Sequence, residues 1–201
     1  MNRRFYITFN CELGSFLSFA VISCLFLFGS VFGALLGRGL NNVSYAFDFL
    51  NTAFLEKSST DFSLFLGAFF DNAFWAVIML LCAFSAFGIL GAAACSVLKG
   101  VLASFFVCIF VRIYGADGIL NSLFLFSVEL LFVVPFFLVL LSKTAEASLF
   151  VSKLCFAHIG GSESNCFRSF ICVFAIYLVV SAVLAILKCF VLYPAALSLV
   201  V

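Results

Sequence analysis

The sequence predicts an all-α integral membrane protein: a bundle of about five transmembrane helices, with a short amphipathic helix on the extracytoplasmic side. Three observations carry this. Of the 201 residues, 66% are hydrophobic and only 9% are charged, with a mean hydropathy of +1.33. A soluble domain is nearer half apolar and a quarter charged, so this chain has too little polar surface to face water all round. Its apolar residues also fall in runs long enough to cross about 30 Å of hydrocarbon, which takes about 20 helical residues. Backbone groups in hydrocarbon must bond within their own segment, which makes helices the natural element. The formal charge of +1 carries neither a nucleic-acid footprint nor a polybasic anchor. The lipid bilayer is the expected partner; nucleic acid is not. With two prolines and no polar linker, residues 1–201 read as a single membrane domain.

The first span is predicted over 13–37 and ends at Arg38. Arg3 and Arg4 precede it, as in a signal peptide. The run is too long for a signal core, however, and no A-x-A-like cleavage site follows, so an uncleaved span is expected. Residues 38–61 form the main polar segment. Within it Val43, Ala46, Phe47, Leu50, Ala53 and Phe54 recur at helical spacing, opposite Ser44, Asp48, Asn51 and Thr52, with Asn42 as N-cap. Such a helix rests on the membrane surface, on a partner, or on the protein's own helices.

The apolar block from Phe62 to Ile113 requires one internal turn. A turn at Lys99-Gly100 would leave about 13 residues before Ile113, too few to span. A turn from Gly88 to Gly91 gives spans over 66–88 and 91–113, and it places Lys99 inside the membrane. A second turn, Gly115-Ala116-Asp117-Gly118, opens a fourth span over 120–141 that contains Glu129 and Pro135. Residues 142–169 read as an inner loop, and the fifth span covers 170–191. With the N-terminus inside, the inner side holds Arg3, Arg4, Lys143, Lys153 and Arg168, and the outer side holds Arg38, Lys57, Arg112 and Lys188. The positive-inside rule therefore favours a cytoplasmic N-terminus and an extracytoplasmic C-terminus in the cell membrane.

Nine cysteines do not make a disulfide framework here. The count is odd, and most positions lie in apolar runs, where a thiol acts as a small hydrophobe. Cys155, His158 and Cys166 fit no zinc spacing, and His158 is the only histidine. No catalytic set, metal site or cofactor is expected.

Lys99 and Glu129 are the most informative charges. A charge near the bilayer centre pairs or lines a polar cavity. Both positions fall about ten residues from a predicted turn, at depths only a few ångströms apart. The pair reads either as a polar pathway or switch, or as a structural ion pair with Lys99 snorkelling or Glu129 neutral. Small residues mark packing faces: Gly29, Gly33 and Gly37 on the first span, and Ala92, Ser96, Gly100, Ser104 and Cys108 on the third. Such faces let backbones approach closely. They serve other spans of this chain or partner subunits, with a homo-oligomer among the outcomes. The polar residues Asn41, Asp48, Asn51 and Asp61 are candidates for partner binding, together with the glycine face.

Several motifs stand in a familiar order. Gly29-x-x-x-Gly33 is followed by a polar segment with Asn51, then by Phe69-Phe70-Asp71-Asn72 and Phe84-Ser85-Ala86-Phe87-Gly88. Lys99-Gly100, Tyr114-Gly115-x-x-Gly118 and Pro135 complete the series. From Gly29 to Val139 this order resembles the stage II sporulation protein M family. Members carry Pro-Gln-Asn or Pro-His-Gly in the fourth span, where this chain has Val128-Glu129-Leu130 and lacks the proline. The resemblance implies a membrane scaffold for engulfment during endospore formation. It would hold stage II sporulation proteins D and P, which degrade peptidoglycan, at the septal membrane. The alternative is a small transporter or channel subunit.

The Lys99–Glu129 reading has a direct test. Lys99→Met and Glu129→Gln should each lower the yield of folded protein, because a lone buried charge is costlier than a pair. The double variant should recover part of the loss. Expression and melting temperature in detergent measure this, and additive losses would mean that the two residues do not interact.

Overall fold

The computed structural model describes residues 2–39, 61–157 and 164–192. Among them every regular element is helical and there is no strand. The helices are α1 (Asn2–Gly39), α2 (Asp61–Ala83), α3 (Gly88–Val128), α4 (Val134–Ala157) and α5 (Ser164–Leu187). Single π turns, Glu129–Val133 and Lys188–Leu192, precede α4 and follow α5. Among the described residues five stretches are long and apolar enough to cross a membrane: Leu17–Gly39, Phe65–Ala83, Gly88–Ile113, Leu130–Cys155 and Cys166–Phe190. Their outward faces carry large apolar side chains at helical spacing, such as Val21, Phe28 and Leu35 on α1 and Phe70, Phe74, Val77 and Leu81 on α2.

α1 and α3 form the closest pair, and they run parallel. The Ser96 hydroxyl donates to the Ile22 carbonyl at 2.8 Å, and the Ser104 hydroxyl donates to the Ser30 carbonyl at 2.6 Å. At the end of the helix the Arg112 guanidinium donates to the Gly37 and Arg38 carbonyls at 3.0 and 3.1 Å. Contacts separated by 74, 74 and 75 residues define one register over the whole pair. Glycines permit the approach. A Cβ at Gly29 would strike the Val97 carbonyl oxygen, one at Gly33 that of Val101, and one at Gly100 that of Phe26. Arg112 also satisfies carbonyls that the end of α1 leaves open, and it places a positive charge at the negative end of the helix.

α4 is the central helix. Of its most apolar stretch 56% is buried, against 17–28% for the other four spans. Phe137, Leu140, Leu141 and Ala147 on α4 are fully buried and share one core with Met79 on α2 and Phe170 and Tyr177 on α5. Pro135 has no N–H for the carbonyl four residues earlier, and the π turn Glu129–Val133 absorbs that defect immediately before it.

Three boundaries differ from the sequence expectation. The first turn is Phe84–Phe87, not Gly88–Gly91; α3 already begins at Gly88. These glycines serve packing, since a Cβ at Gly88 would overlap the Cys82 carbonyl and one at Gly91 would lie 2.5 Å from the Cys82 sulfur. The turn is held by Ser148 on α4, whose hydroxyl donates to the Ser85 carbonyl at 2.8 Å and accepts from the Ile89 N–H at 3.1 Å. At the second expected turn the chain breaks at Gly115 alone (φ 61°, ψ −131°), a left-handed φ that glycine adopts freely, and Gly118 is already helical again. The inner loop predicted over 142–169 is helix as far as Ala157 and again from Ser164, so the helix of the fourth span continues well past its expected end at 141. Its polar residues were misleading because they turn inward. Ser142, Thr144 and Ser148 are buried, and the Thr144 hydroxyl returns to the Leu140 carbonyl at 2.8 Å. Lys143 and Glu146 pair at 2.8 Å.

Gly33→Leu should lower the melting temperature in detergent sharply. Overpacking typically costs about 1–3 kcal/mol, and here the obstacle is backbone. Ser104→Ala should cost much less, about 0.6 kcal/mol, the mean for interhelical hydrogen bonds in a membrane bundle. Equal effects of the two would overturn the close-approach account.

Candidate functional site, a polar layer at mid-bundle

Four helices contribute side chains to one level of the bundle. α2 supplies Asn72 and Trp75, α3 supplies Lys99, α4 supplies Phe137, and α5 supplies Tyr177 and Ser181. Their heights follow from contacts at one end of the bundle, where α2 ends and α5 begins. Phe84 stacks on Phe167 at 5.6 Å. Counted from that contact, Asn72 lies about 18 Å along α2 and Ser181 about 21 Å along α5. Lys99 lies about 15 Å beyond Ile89, which is tied to the same turn through Ser148. Each of these heights is about half the thickness of a hydrocarbon layer, which is about 30 Å.

The contacts within the layer are specific. The Lys99 ammonium lies 5.6 Å from the centre of the Trp75 ring. Lys99 is only 9% exposed, so the attraction acts with little water to screen it. Trp75 meets Phe137 edge-on at 6.0 Å, and Phe137 meets Tyr177 at 6.2 Å. The Tyr177 hydroxyl donates to the Asn72 backbone carbonyl at 3.5 Å. Asn72 is 4% exposed, and its amide N–H reaches the Ala68 carbonyl at 3.5 Å. Its Oδ1 and the hydroxyl of fully buried Ser181 have no partner in the protein. Leaving such a group unbonded costs about 1–3 kcal/mol.

The predicted site residues divide into three groups. Lys99 sits in this layer. Glu129 belongs to the π turn before α4, and its side chain lies outside the described residues. Asn41, Asp48 and Asn51 also lie outside them; Asp61 opens α2, with its side chain likewise outside. The small residues Gly29, Gly33, Gly37, Ser96, Gly100 and Ser104 meet across the α1–α3 contact, and Ala92 is fully buried. Of the two uses the sequence allowed for the glycine face, another span of this chain or a partner, the structure shows the first: α3 packs on it. Trp75, Tyr177 and Ser181 were not singled out from sequence. A lone aromatic or serine in an apolar run carries no signal of its own, although Tyr177 and Ser181 do share a helix face at i, i+4 spacing. Among the described residues no group of three or more His, Cys, Asp or Glu side chains is placed to hold a metal.

The chain matches no protein-family model, no curated protein and no solved structure.

The cation–π contact is open to a double-mutant cycle. Trp75→Phe should destabilise less than Trp75→Leu, because phenylalanine keeps a ring face for Lys99. In a Lys99→Met background the difference between the two substitutions should shrink. Melting temperatures in detergent read both; an unchanged difference would remove the contact from the account.

Proposed function

We propose that the chain is a non-catalytic, multi-pass membrane scaffold of the kind represented by stage II sporulation protein M. In this reading it positions peptidoglycan-degrading partners, the stage II sporulation proteins D and P, at the septal membrane during engulfment. The order of motifs from Gly29 to Val139 suggests the family. The structural observation that supports a scaffold is where α1 ends and α2 begins. α1 ends at Gly39 beside Arg112, and α2 starts at Asp61 and runs antiparallel to α3. Gly39 and Asp61, which flank the longest polar stretch of the sequence, therefore stand at the same end of the bundle. A polar segment that leaves and re-enters the bundle at one end is suited to meet soluble domains beside the membrane, with the N-terminus cytoplasmic and residues 40–60 extracytoplasmic.

A second reading, a small transporter or channel subunit, is favoured by the mid-bundle layer of Lys99, Asn72 and Ser181, since buried polar groups at membrane depth often mark a solute path. The gene's neighbours separate the two, sporulation genes going with the scaffold and an ATPase gene with transport. In a spore-forming host, deletion should arrest engulfment and disperse fluorescent fusions of the two hydrolases, while the purified hydrolases keep their activity. Asp48→Lys should weaken co-purification of partners without lowering the yield of the chain. Cleavage of peptidoglycan by the purified chain alone, or hydrolases correctly placed in the deletion strain, would overturn the scaffold.

A further inference from the structure

The mid-bundle layer contains two polar atoms that the protein itself leaves unanswered, Asn72 Oδ1 and Ser181 Oγ. They come from different helices but from one neighbourhood. Tyr177 reaches the Asn72 backbone with its hydroxyl, and Ser181 follows Tyr177 by one turn on the same face of α5. Measured from the Phe84–Phe167 stack, the two residues stand at nearly equal heights, about 18 and 21 Å. In hydrocarbon no bulk solvent relieves an unbonded carbonyl or hydroxyl. One small molecule that both donates and accepts would satisfy both atoms.

We propose that Asn72, Tyr177 and Ser181 enclose a hydration site within the membrane bundle, occupied by bound water. The chemistry selects the occupant. The Asn72 Oδ1 only accepts, so it requires a donor and gives a simple anion nothing to bind. A cation would meet the charge of Lys99, which is held against Trp75 on the adjoining side. Water donates to Asn72, exchanges a bond with Ser181 in either direction, and has the Tyr177 hydroxyl as a further neighbour, giving the two to four polar partners that a buried water needs. The core beside it is apolar and closed: Phe137, which meets Tyr177 at 6.2 Å, is fully buried, and Met79 lies two turns along α2 from Asn72. The site is thus a pocket of hydration halfway across the bundle, and it stands whichever functional reading holds.

Radiolytic footprinting of the wild-type protein in nanodiscs tests this, because hydroxyl radicals form from the water bound beside a side chain. Tyr177 should be oxidised despite its complete burial. Met79 is equally buried on the same core and intrinsically more reactive, and it should stay protected. Equilibration in ¹⁸O-labelled water should carry the label into the Tyr177 product. The double substitution Asn72→Leu with Ser181→Ala removes both polar atoms and should bring Tyr177 down to the level of Met79. A wild-type Tyr177 as protected as Met79, or oxidation unchanged in the double variant, would overturn the proposal.

Discussion

The parallel contact between α1 and α3 sets the geometry that the rest of the bundle adopts. Two helices separated by α2 in the chain run in the same direction, locked in one register from Ile22–Ser96 to Gly37–Arg112. Dispersion and hydrogen bonds, not the hydrophobic effect, drive helix association in lipid, so the approach must be close. Glycines 29, 33 and 100 remove the Cβ atoms that would keep the backbones apart, and Ser96 and Ser104 spend their hydroxyls on the facing carbonyls. Once this pair is fixed, α2 can only return between the end of α1 and the start of α3. The Phe84–Phe87 turn, clipped by Ser148, then determines where α4 lies.

α4 shows how burial changes the meaning of polarity. Its span is the most covered of the five, yet it holds Ser142, Thr144 and Ser148. Each hydroxyl that has a described partner bonds to the backbone of its own helix or of the turn it packs on. A hydroxyl used in this way costs little in a protein core, because its polar atom never meets lipid. The π turn before Pro135 is a second accommodation of the same kind. It places the local defect at the head of the central helix, where Val133 is buried while Leu130, Leu131 and Phe132 face outward.

The mid-bundle layer differs from these solved cases. Lys99 is shielded by the face of Trp75, and the aromatic series Trp75, Phe137 and Tyr177 links α2 through α4 to α5. Asn72 Oδ1 and the Ser181 hydroxyl are equally buried but have no protein partner. Apolar side chains of the same size would pack there as well, so helix packing alone does not require polarity in this layer. That contrast makes the layer, and not the α1–α3 face, the place to look for a solute.

The amino-acid sequence alone determined the class of architecture. Runs of apolar residues near 20 in length leave helices as the element, and the small-residue spacings on the first and third spans already marked them as packing faces. The burial of Lys99 was legible too, because any turn that shortened its span below the membrane thickness was excluded. Tertiary structure decided what these features contact. Spacing shows that a glycine face exists but not which helix covers it, and here α3 does. A serine in a polar stretch reads as loop until its partner is known; Ser148 stands on a helix and bonds the neighbouring turn. Ser181, Tyr177 and Trp75 acquired significance only when antiparallel helices brought them to one height. Their proximity depends on long-range register, a property that no local window of sequence contains.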